Sequence, residues 1–381
     1  MIKPAHLLIE RAGARVVLEG SLTLLQEVAT HCHPHYVTKP IIAVPAGVWI
    51  VSALDADAKR PNTECFQSAV RSEPTRFVFH DLNAKLLTLA TESPRWLPIF
   101  CCRLIRDLLR WQLLESGELF FQAGLVKIGD SGIAFVGPPR SGKTTTALAL
   151  VGREGGTFVA DNDLCVTGKT QGLVSGMGWP RSICIRTNTL SILKEWWPNF
   201  SNEMGSFAHP NNHHGKPEAR EFLYILPDEM ATLTKKPILT ETPVSCLIFP
   251  EFSDARDAKP ELVRLSNEQA AKKLTASWDF LAERKVGQRS GFAFTGKQNW
   301  ALMCFNPFLV EAFSIPEPDQ LLAEVHQLAA LIPCYKLIQQ LSQVQESSRI
   351  IMAEIAQDCA FRHQSTRNRC ESLHRELSSP R

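Results

Sequence analysis

The chain has 381 residues, of which 44% are hydrophobic and 21% charged, and its formal net charge is +2. This length is enough for one large domain or two ordinary domains. A net charge this close to zero gives no overall field that would attract nucleic acid or an anionic membrane. We therefore expect a globular protein that binds neither.

Cysteine usage favours a reducing compartment. The chain has 11 cysteines, an odd total, and none of them forms a CxxC pair. Most lie in or beside apolar runs, where a free cysteine behaves as a small hydrophobic residue. The first residues, Met1–Pro4, do not begin a signal peptide. These features predict a cytoplasmic location.

Residues 1–92 are predicted to form a small β-rich region. Strand patterns occur at Ala43–Val51 and Arg76–His80, and a turn is expected directly after the second strand. Short strands separated by turn residues, without a long helical pattern, favour a sheet over a helical bundle.

A helix is predicted next. It begins near Ser93–Pro94, because serine is a good N-cap and proline suits the first helical position, and it ends at Gly117. Its most apolar stretch, Leu97–Leu114, contains four charged residues. A membrane span would not carry so many, so we expect an amphipathic helix packed inside the protein.

The following segment is predicted to be a β-hairpin, a loop and a helix. Strand patterns at Phe120–Val126 and Ile133–Val136 flank a turn. The loop Gly137–Thr144 leads into a helix that stops at Gly152, and another apolar strand, Thr157–Ala160, comes after it. A strand, a loop and a helix in this order form the setting in which phosphate-binding loops occur.

The loop matches the pattern GxxxxGK[ST], in which each position has a separate chemical task. The glycines let backbone N–H groups approach phosphate oxygens, and the N-terminus of the following helix directs unpaired N–H groups at the anion. Lys143 supplies a positive charge for the β- and γ-phosphates, and the Thr144 hydroxyl can coordinate Mg²⁺. The predicted ATP-binding residues are Gly137, Arg140, Ser141, Gly142, Lys143, Thr144 and Thr145.

Asp161 is the acidic residue predicted to act with this loop. It ends the strand after the P-loop helix, so its carboxylate can face the phosphates, hold Mg²⁺ together with Thr144, or take a proton from an acceptor hydroxyl. Asp161 and Lys143 are therefore the candidate catalytic residues. Two alternatives stay open: Asp161 only closes an Asx turn, or Asp163 takes its place.

The remaining segments complete a predicted P-loop domain over residues 93–345. A buried strand is expected at Val244–Phe249, and helices are expected at Ser266–Leu281 and Pro318–Leu331. Residues 346–381 are predicted to form a C-terminal helix and a polar tail. The tail has almost no apolar periodicity, so we expect it to be frayed or disordered.

The run Val159–Asn162 resembles the Val-Ala-Asp-Asp run of the HPr kinase/phosphorylase-like family of P-loop proteins, whose fold is related to that of phosphoenolpyruvate carboxykinase. The resemblance begins near Arg103–Arg106 and is clearest from Phe121 to Val166. It continues more weakly through Pro243–Phe249, Glu268–Ala270 and Ile332–Leu337. The chain is most similar to divergent HPr-kinase-related proteins, some of which are encoded with peptide-modification enzymes.

This resemblance implies an α/β, P-loop kinase-like domain with a mixed sheet, preceded by the smaller β-rich region. It implies that Lys143 and Thr144 bind ATP and Mg²⁺ and that Asp161 is the base or a metal ligand. Two positions depart from the family pattern. The family often has histidine where Gln122 stands, and glutamine is neither an acid nor a base near neutral pH. The second acidic residue of the Asp-Asp pair is Asn162.

Other polar clusters are predicted to have structural or surface roles. His31–His35 contains metal-ligand residue types, but its spacing and the lack of a second cluster argue against a zinc site. The His/Asn-rich segment Ser201–Pro217 is predicted to be a mobile loop. A surface role is the default, with substrate contact in a phosphoryl-transfer enzyme as the alternative, for Arg181, Arg186, His209, His213, His214, Lys216 and Arg220.

The sequence therefore predicts a P-loop protein that transfers the γ-phosphoryl group of ATP to a hydroxyl on a peptide, a protein or a small molecule. Two other functions stay open: a catalytically weak nucleotide-binding module that regulates or scaffolds partner enzymes, and an ATP hydrolase. ATP and Mg²⁺ are the predicted cofactors. The sequence leaves homo-oligomer formation open.

Overall fold

A computed structural model describes residues 5–54, 63–68, 73–168, 174–196, 206–213, 221–253, 259–277, 309, 312–314 and 316–355. Over these ranges the chain is an α/β structure with a seven-stranded sheet, a nine-stranded sheet and a two-stranded sheet. The two large sheets contain both parallel and antiparallel pairs, so the predicted mixed α/β class is confirmed. None of the helices in these ranges has the length and apolar character needed to cross a membrane.

The first sheet is formed by residues near the N-terminus. Its strands are β1 (Ala5–Arg11), β2 (Ala14–Gly20), β3 (Val37–Ile41), β4 (Trp49–Ala53), β5 (Glu64–Ser68), β6 (Arg76–Asp81) and β7 (Leu86–Thr91). They lie in the order β3-β1-β2-β4-β7-β6-β5. The β-rich character of this region is confirmed, although the strand predicted over Ala43–Val51 begins only at Trp49.

One helix of this region, α1 (Leu22–Cys32), was not predicted from the sequence. Ser21 caps it, since Ser21 Oγ accepts a hydrogen bond of 3.3 Å from Leu24 N. Its buried residues recur at helical spacing, which is the pattern that could have revealed it. Because α1 covers one face of the sheet, the region contributes to the main hydrophobic core.

The predicted long helix is present as α2 (Leu97–Glu115), preceded by a 3₁₀ turn at Pro94–Trp96. It packs against β2, β4 and β7 of the first sheet. Arg110 on the same helix contacts Asp163 and Phe120 of the second sheet. Lying between two sheets, α2 is buried on nearly all sides, and the buried residues include Arg106 and Arg110.

The second sheet contains the predicted phosphate-binding segment. Its strands are β8 (Leu119–Phe121), β9 (Ala123–Ile128), β10 (Ser131–Val136), β11 (Thr157–Ala160), β12 (Leu164–Thr167), β13 (Ser175–Gly178), β16 (Glu241–Phe252), β17 (Glu261–Arg264) and β18 (Cys334–Gln339). The small sheet pairs β14 (Ile183–Arg186) with β15 (Phe222–Ile225). The main order is β11-β9-β10-β16-β13-β12-β8, and β18 lies beside both β16 and β17.

Strand direction brings several strand ends to one edge of this sheet. The pair β9 and β10 forms the predicted antiparallel hairpin, and β11 is also antiparallel to β9. β16 is parallel to β10, and β18 is parallel to β16. The carboxyl ends of β10, β11, β16 and β18 therefore lie at the same edge, where loops bind ligands in many α/β proteins.

One strand prediction was wrong in detail. The run Phe120–Val126 was expected to be a single strand, but it is broken at Gln122. β8, before the break, pairs with β12, whereas β9, after it, pairs with β10 and β11. The apolar pattern does not reveal such a change of partner, because both pieces are buried.

The helices around the second sheet are α3 (Lys143–Arg153), α4 (Thr187–Trp196), α5 (Pro227–Thr234), α6 (Asn267–Ser277), α7 (Pro318–Leu331) and α8, residues 344–355. The predicted cap of α6 is confirmed, because Ser266 Oγ accepts from Gln269 N and Gln269 Oε1 accepts from Ser266 N. The predicted bounds of α7 are also confirmed. The predicted tail after residue 355 lies outside the described residues.

Two hydrophobic clusters fill the space on either side of the second sheet. One is shared with α1, α2 and the first sheet, and it contains Leu125 and Ala134 of the hairpin. The other lies against α3 and contains Val126 and Phe135 of the same two strands. Successive side chains of β9 and β10 thus point to opposite faces of the sheet, as expected for strands. This alternation determines on which face of the sheet each residue before the loop lies.

Candidate functional site

The loop between β10 and α3 has an unusual backbone. Gly137, Arg140 and Gly142 have positive φ angles of 156°, 71° and 102°. Non-glycine residues rarely adopt such values, and they persist where surrounding structure enforces them, often at ligand sites. At Gly142 a side chain would also crowd its neighbours, since a Cβ would lie 2.8 Å from Gln339 Nε2 and 3.0 Å from Phe252 Cζ.

The N-terminus of α3 lies at the end of this loop. The first hydrogen bond of the helix runs from Thr146 N to Gly142 O at 2.9 Å. The amides of Lys143, Thr144 and Thr145 belong to the first turn of the helix, before this bond. Amides at a helix N-terminus attract anions because they carry the positive end of the helix dipole. This is where the sequence predicted phosphate contacts.

Lys143 places its positive charge inside the loop. The residue is only 4% exposed, and its Nζ donates a 2.8 Å hydrogen bond to the Pro138 carbonyl. Ser141, also buried, lies across the same loop, where a Cβ added to Gly137 would be 3.0 Å from Ser141 Oγ. Lysine is rarely buried unless it has partners, so this arrangement suits an anion.

Asp161 and Thr144 are in direct contact. Thr144 Oγ1 donates a hydrogen bond of 2.7 Å to Asp161 Oδ1, and Asn162 Nδ2 donates one of 2.7 Å to Asp161 Oδ2. Asn162 has a φ of 59°, which asparagine tolerates better than most residues. The departure at Asn162 therefore gives Asp161 a neutral hydrogen-bond donor in place of a second carboxylate.

Burial is the largest influence on the Asp161 carboxyl, and it raises the pKa of that group. The hydrogen bond from Thr144 and the positive charges of Lys143 and Arg181 act in the opposite direction. A carboxylate and a hydroxyl in contact supply the hard oxygen ligands that Mg²⁺ prefers. A carboxyl with a raised pKa is also a better proton acceptor than an ordinary aspartate. The residues therefore fit both predicted roles of Asp161.

Asp163 does not share this environment. Its Oδ2 lies 3.1 Å from Arg110 Nη1 and 3.6 Å from Arg106 Nε, and all three side chains are buried. Burial opposes the charge of Arg106, but Asp107 and Asp163 outweigh it and raise the pKa of that guanidinium. Asp163 therefore belongs to a buried ion-pair cluster with α2, and Asp161 is the carboxylate that contacts the first turn of α3.

Gln122 lies next to the start of the loop. Its backbone O accepts from Gly137 N at 3.4 Å, and its backbone N donates to Ser277 O at 3.3 Å. These contacts tie the break between β8 and β9 to the loop and to α6. Gln122 is the residue at which the resembled family often has histidine, and it lies directly beside the loop.

A second group of side chains near Asp161 was not predicted. Cys184 and Tyr224 are directly opposite each other in the β14–β15 pair. Burial, reinforced by the charge of Asp161, raises the pKa of Cys184 to about 11. Burial also raises the pKa of Tyr224 well above its ordinary range. No local sequence signal joins Cys184 to Tyr224, because the pairing of β14 with β15 brings them together.

The described part of the predicted mobile loop, residues 206–213, is largely buried. His209 is 1% exposed and stacks on Tyr224 with ring centroids 4.6 Å apart. The Asn212 side chain hydrogen-bonds to both the N and the O of Tyr224. The default surface role for His209 was therefore wrong, because the polar residues of this segment bind the edge of β15.

The other predicted contact residues are scattered. Arg181 Nη1 donates to Asn162 O at 3.4 Å, so it lies beside the Asp161 turn. Arg186 pairs with Glu221 and covers the Phe222 ring. His213 is exposed. Three of them, His214, Lys216 and Arg220, lie outside the described residues.

The histidine-rich segment of the first region does not converge on one point. His33 is exposed and lies 3.5 Å from Asp228, whereas His35 is buried. Among the residues that the structure describes, no three His, Cys, Asp or Glu side chains are grouped as metal ligands. An apolar cavity of about 650 Å³ lies between α1 and β3, and it has no part in the P-loop geometry.

Comparisons with known proteins add nothing to this picture. No protein-family model matches the sequence, and a search of curated proteins finds no significant match.

Proposed function

We propose that this chain is an ATP-dependent phosphotransferase with a P-loop kinase-like fold, of the kind that its resemblance to HPr-kinase-related proteins implies. The observation that carries the proposal is the 2.7 Å contact between Thr144 Oγ1 and Asp161 Oδ1 at the N-terminus of α3. A hydroxyl and a carboxylate at this place form the magnesium-holding pair of P-loop nucleotide sites.

The binding step follows from the loop. The amides of Lys143, Thr144 and Thr145 and the ammonium of Lys143 would hold the phosphates, while Thr144 and Asp161 would hold Mg²⁺. The metal ion would neutralise charge that develops on the phosphoryl oxygens. Arg140 and Ser141 would border the same anion, since both lie in the turn that precedes the helix.

The chemical step transfers the γ-phosphoryl group to a hydroxyl. The acceptor oxygen forms a bond to the γ-phosphorus while the bond from that phosphorus to the bridging oxygen of ADP breaks. The proton of the acceptor would pass to the oxygen of the Asp161 carboxylate that does not contact the metal ion. Cys184 and Arg181 are close enough to Asp161 to act on it electrostatically, so the acceptor would approach past these two side chains.

One observation favours a second function, a nucleotide-binding regulatory module with little turnover. Both oxygens of Asp161 already accept hydrogen bonds from neutral side chains, and Gln122 is not a base. Such a protein would bind Mg-ATP through the same loop without passing the phosphoryl group on. An ATP hydrolase would instead release phosphate without any acceptor.

Titration with Mg-ATP, followed by incubation with γ-labelled ATP and a panel of peptide, protein and small-molecule alcohols, tests the proposal. We expect Lys143→Ala to weaken ATP binding at least tenfold, because one charge-assisted contact is worth more than 1.4 kcal/mol in such a site. Asp161→Asn should retain ATP binding in the absence of Mg²⁺ and lose label transfer.

The other outcomes separate the alternatives. Tight ATP binding without label transfer to any acceptor supports the regulatory module, and phosphate release without an acceptor supports the hydrolase. Absence of Mg-ATP binding by the wild-type protein, with no change on Lys143→Ala, rejects all three functions.

A further inference from the structure

Phe252 is an exposed aromatic side chain beside the P-loop. It is the last residue of β16 and is 41% exposed. Its ring borders the start of α3, since a Cβ added to Gly142 would lie 3.0 Å from Phe252 Cζ. An isolated exposed apolar residue needs no special explanation. This one stands out because it adjoins the loop proposed to bind phosphate.

Neighbouring contacts fix the position of Phe252 relative to α3. Phe252 is the register partner of Gln339 on β18, and Ser253 N donates to Gln339 O at 2.8 Å. The Gln339 side chain is fully buried and donates from Nε2 to Thr146 Oγ1 at 2.8 Å. The end of β16, the end of β18 and the first turn of α3 are thereby joined.

The first turn of α3 has two different sides. Residues four apart share one side of a helix, whereas residues two apart point roughly 200° from each other. Thr144 faces Asp161. Gly142 and Thr146 are on the other side and face Phe252 and Gln339. The magnesium-holding pair and the aromatic ring therefore flank the N-terminus of α3.

The strand order also places Asp161 and Phe252 on opposite sides of the loop after β10. Asp161 follows β11 and Phe252 ends β16, and the order β11-β9-β10-β16 places these strands three positions apart. At about 4.8 Å per strand spacing, the two ends are separated by roughly 14 Å. The P-loop follows β10, between them. This span is comparable with the length of an extended nucleoside triphosphate.

We propose that Phe252 is the platform on which the adenine ring of ATP stacks, with the phosphates running across the N-terminus of α3 to Thr144 and Asp161. This inference rests on the proposed nucleotide site and assigns its base-binding end. A flat aromatic ring suits the π-face of a nucleobase, and stacking of this kind is strong enough to set affinity.

Binding of Mg-ATP and of Mg-tripolyphosphate to wild type, Phe252→Ala, Phe252→Leu and Phe252→Trp tests this assignment. We expect Phe252→Ala and Phe252→Leu to weaken ATP binding about tenfold, whereas Phe252→Trp retains it, because one base stack contributes a factor of this size. Tripolyphosphate has no base, so its affinity should be equal in all four proteins.

A matched control is Val263→Ala on β17, which removes another partly exposed apolar side chain (38% exposed) and should change neither affinity. Equal ATP affinity of wild type, Phe252→Ala and Phe252→Leu overturns the platform and leaves the phosphate site intact. Equal weakening of ATP and tripolyphosphate also overturns it, since Phe252 would then only support the loop. If wild type binds neither ligand, the nucleotide site itself is rejected.

Discussion

Asp161 and Asp163 are two residues apart on one turn and are both buried, but their environments differ. Asp161 accepts hydrogen bonds from two neutral side chains, Thr144 and Asn162. Asp163 forms ion pairs with Arg106 and Arg110 of α2. Two guanidinium groups neutralise the charge of Asp163, so this carboxylate attracts a metal ion only weakly. A carboxylate held by neutral donors keeps its affinity for a cation.

The two aspartates also differ in which parts of the structure their contacts join. The Asp163 cluster lies between α2 and the second sheet, where Arg110 additionally covers the Phe120 ring with 4.6 Å from its Cζ to the ring centroid. Its contacts join two layers of the core. The Asp161 contacts join only the P-loop helix to the adjacent strand end. We therefore expect Asp163 to serve folding and Asp161 to serve binding.

The largest expected effect is the loss of stability on Asp163→Ala. This change leaves Arg106 and Arg110 buried without their shared carboxylate, and removing one partner from a buried ion pair costs about 3–5 kcal/mol. Urea unfolding measures the difference. Asp161→Asn is the matched control, and we expect it to cost much less because no ion pair is broken.

The double variant Asp163→Leu/Arg110→Leu sharpens this result. The double variant should be more stable than Asp163→Ala, because it removes the Arg110 charge that the single variant leaves buried without its carboxylate partner. A loss for Asp163→Ala no larger than that for Asp161→Asn would contradict the division between the two aspartates.

The second effect is a pH dependence that arises at the edge of the site. Burial, with a smaller contribution from Arg103, lowers the pKa of His209 to about 3. Because the unfolded histidine titrates near pH 6.5, its contribution to stability is complete above pH 7 and is lost as the pH falls toward 3. The expected slope is up to about 1.4 kcal/mol per pH unit.

Unfolding titrations between pH 7 and 4 check this expectation. His209→Gln should reduce the slope of the unfolding free energy against pH by up to about 1.4 kcal/mol per pH unit. This expectation holds independently of the effect of the substitution on stability at pH 7. Asn211→Ala, next to His209, changes packing without changing proton uptake and should retain the wild-type slope. Identical slopes for wild type and His209→Gln would show that His209 is not held neutral in the folded protein.

The smallest effect concerns the Thr144 hydroxyl. Thr144→Val keeps the side-chain shape and removes the hydrogen bond to Asp161, so stability should fall by about 1 kcal/mol. The decisive measurement is the change in ATP affinity when Mg²⁺ is added. We expect this change to disappear in Thr144→Val and to persist in Thr144→Ser, which keeps a hydroxyl. A magnesium response of equal size in both variants would remove Thr144 from the metal site.

Local patterns in the sequence predicted the loop Gly137–Thr144, the hairpin before it and the strand that ends just before Asp161. Glycine spacing, apolar periodicity and capping residues involve only residues that are close in sequence, so they can be recognised without a structure. The same was true of the cap of α6 and of the limits of α7. The missed helix α1 had a local signal as well, namely Ser21 and the apolar spacing after it.

The tertiary structure alone decided which side chains share the site. The choice between Asp161 and Asp163 depends on α2, which is about fifty residues earlier in the chain. Phe252 reaches the loop through the pairing of β16 with β18, Cys184 and Tyr224 meet through the pairing of β14 with β15, and His209 is buried because its segment binds β15. Such contacts depend on the order of strands in a sheet, which no local pattern encodes, because the same apolar strand can pair with several neighbours.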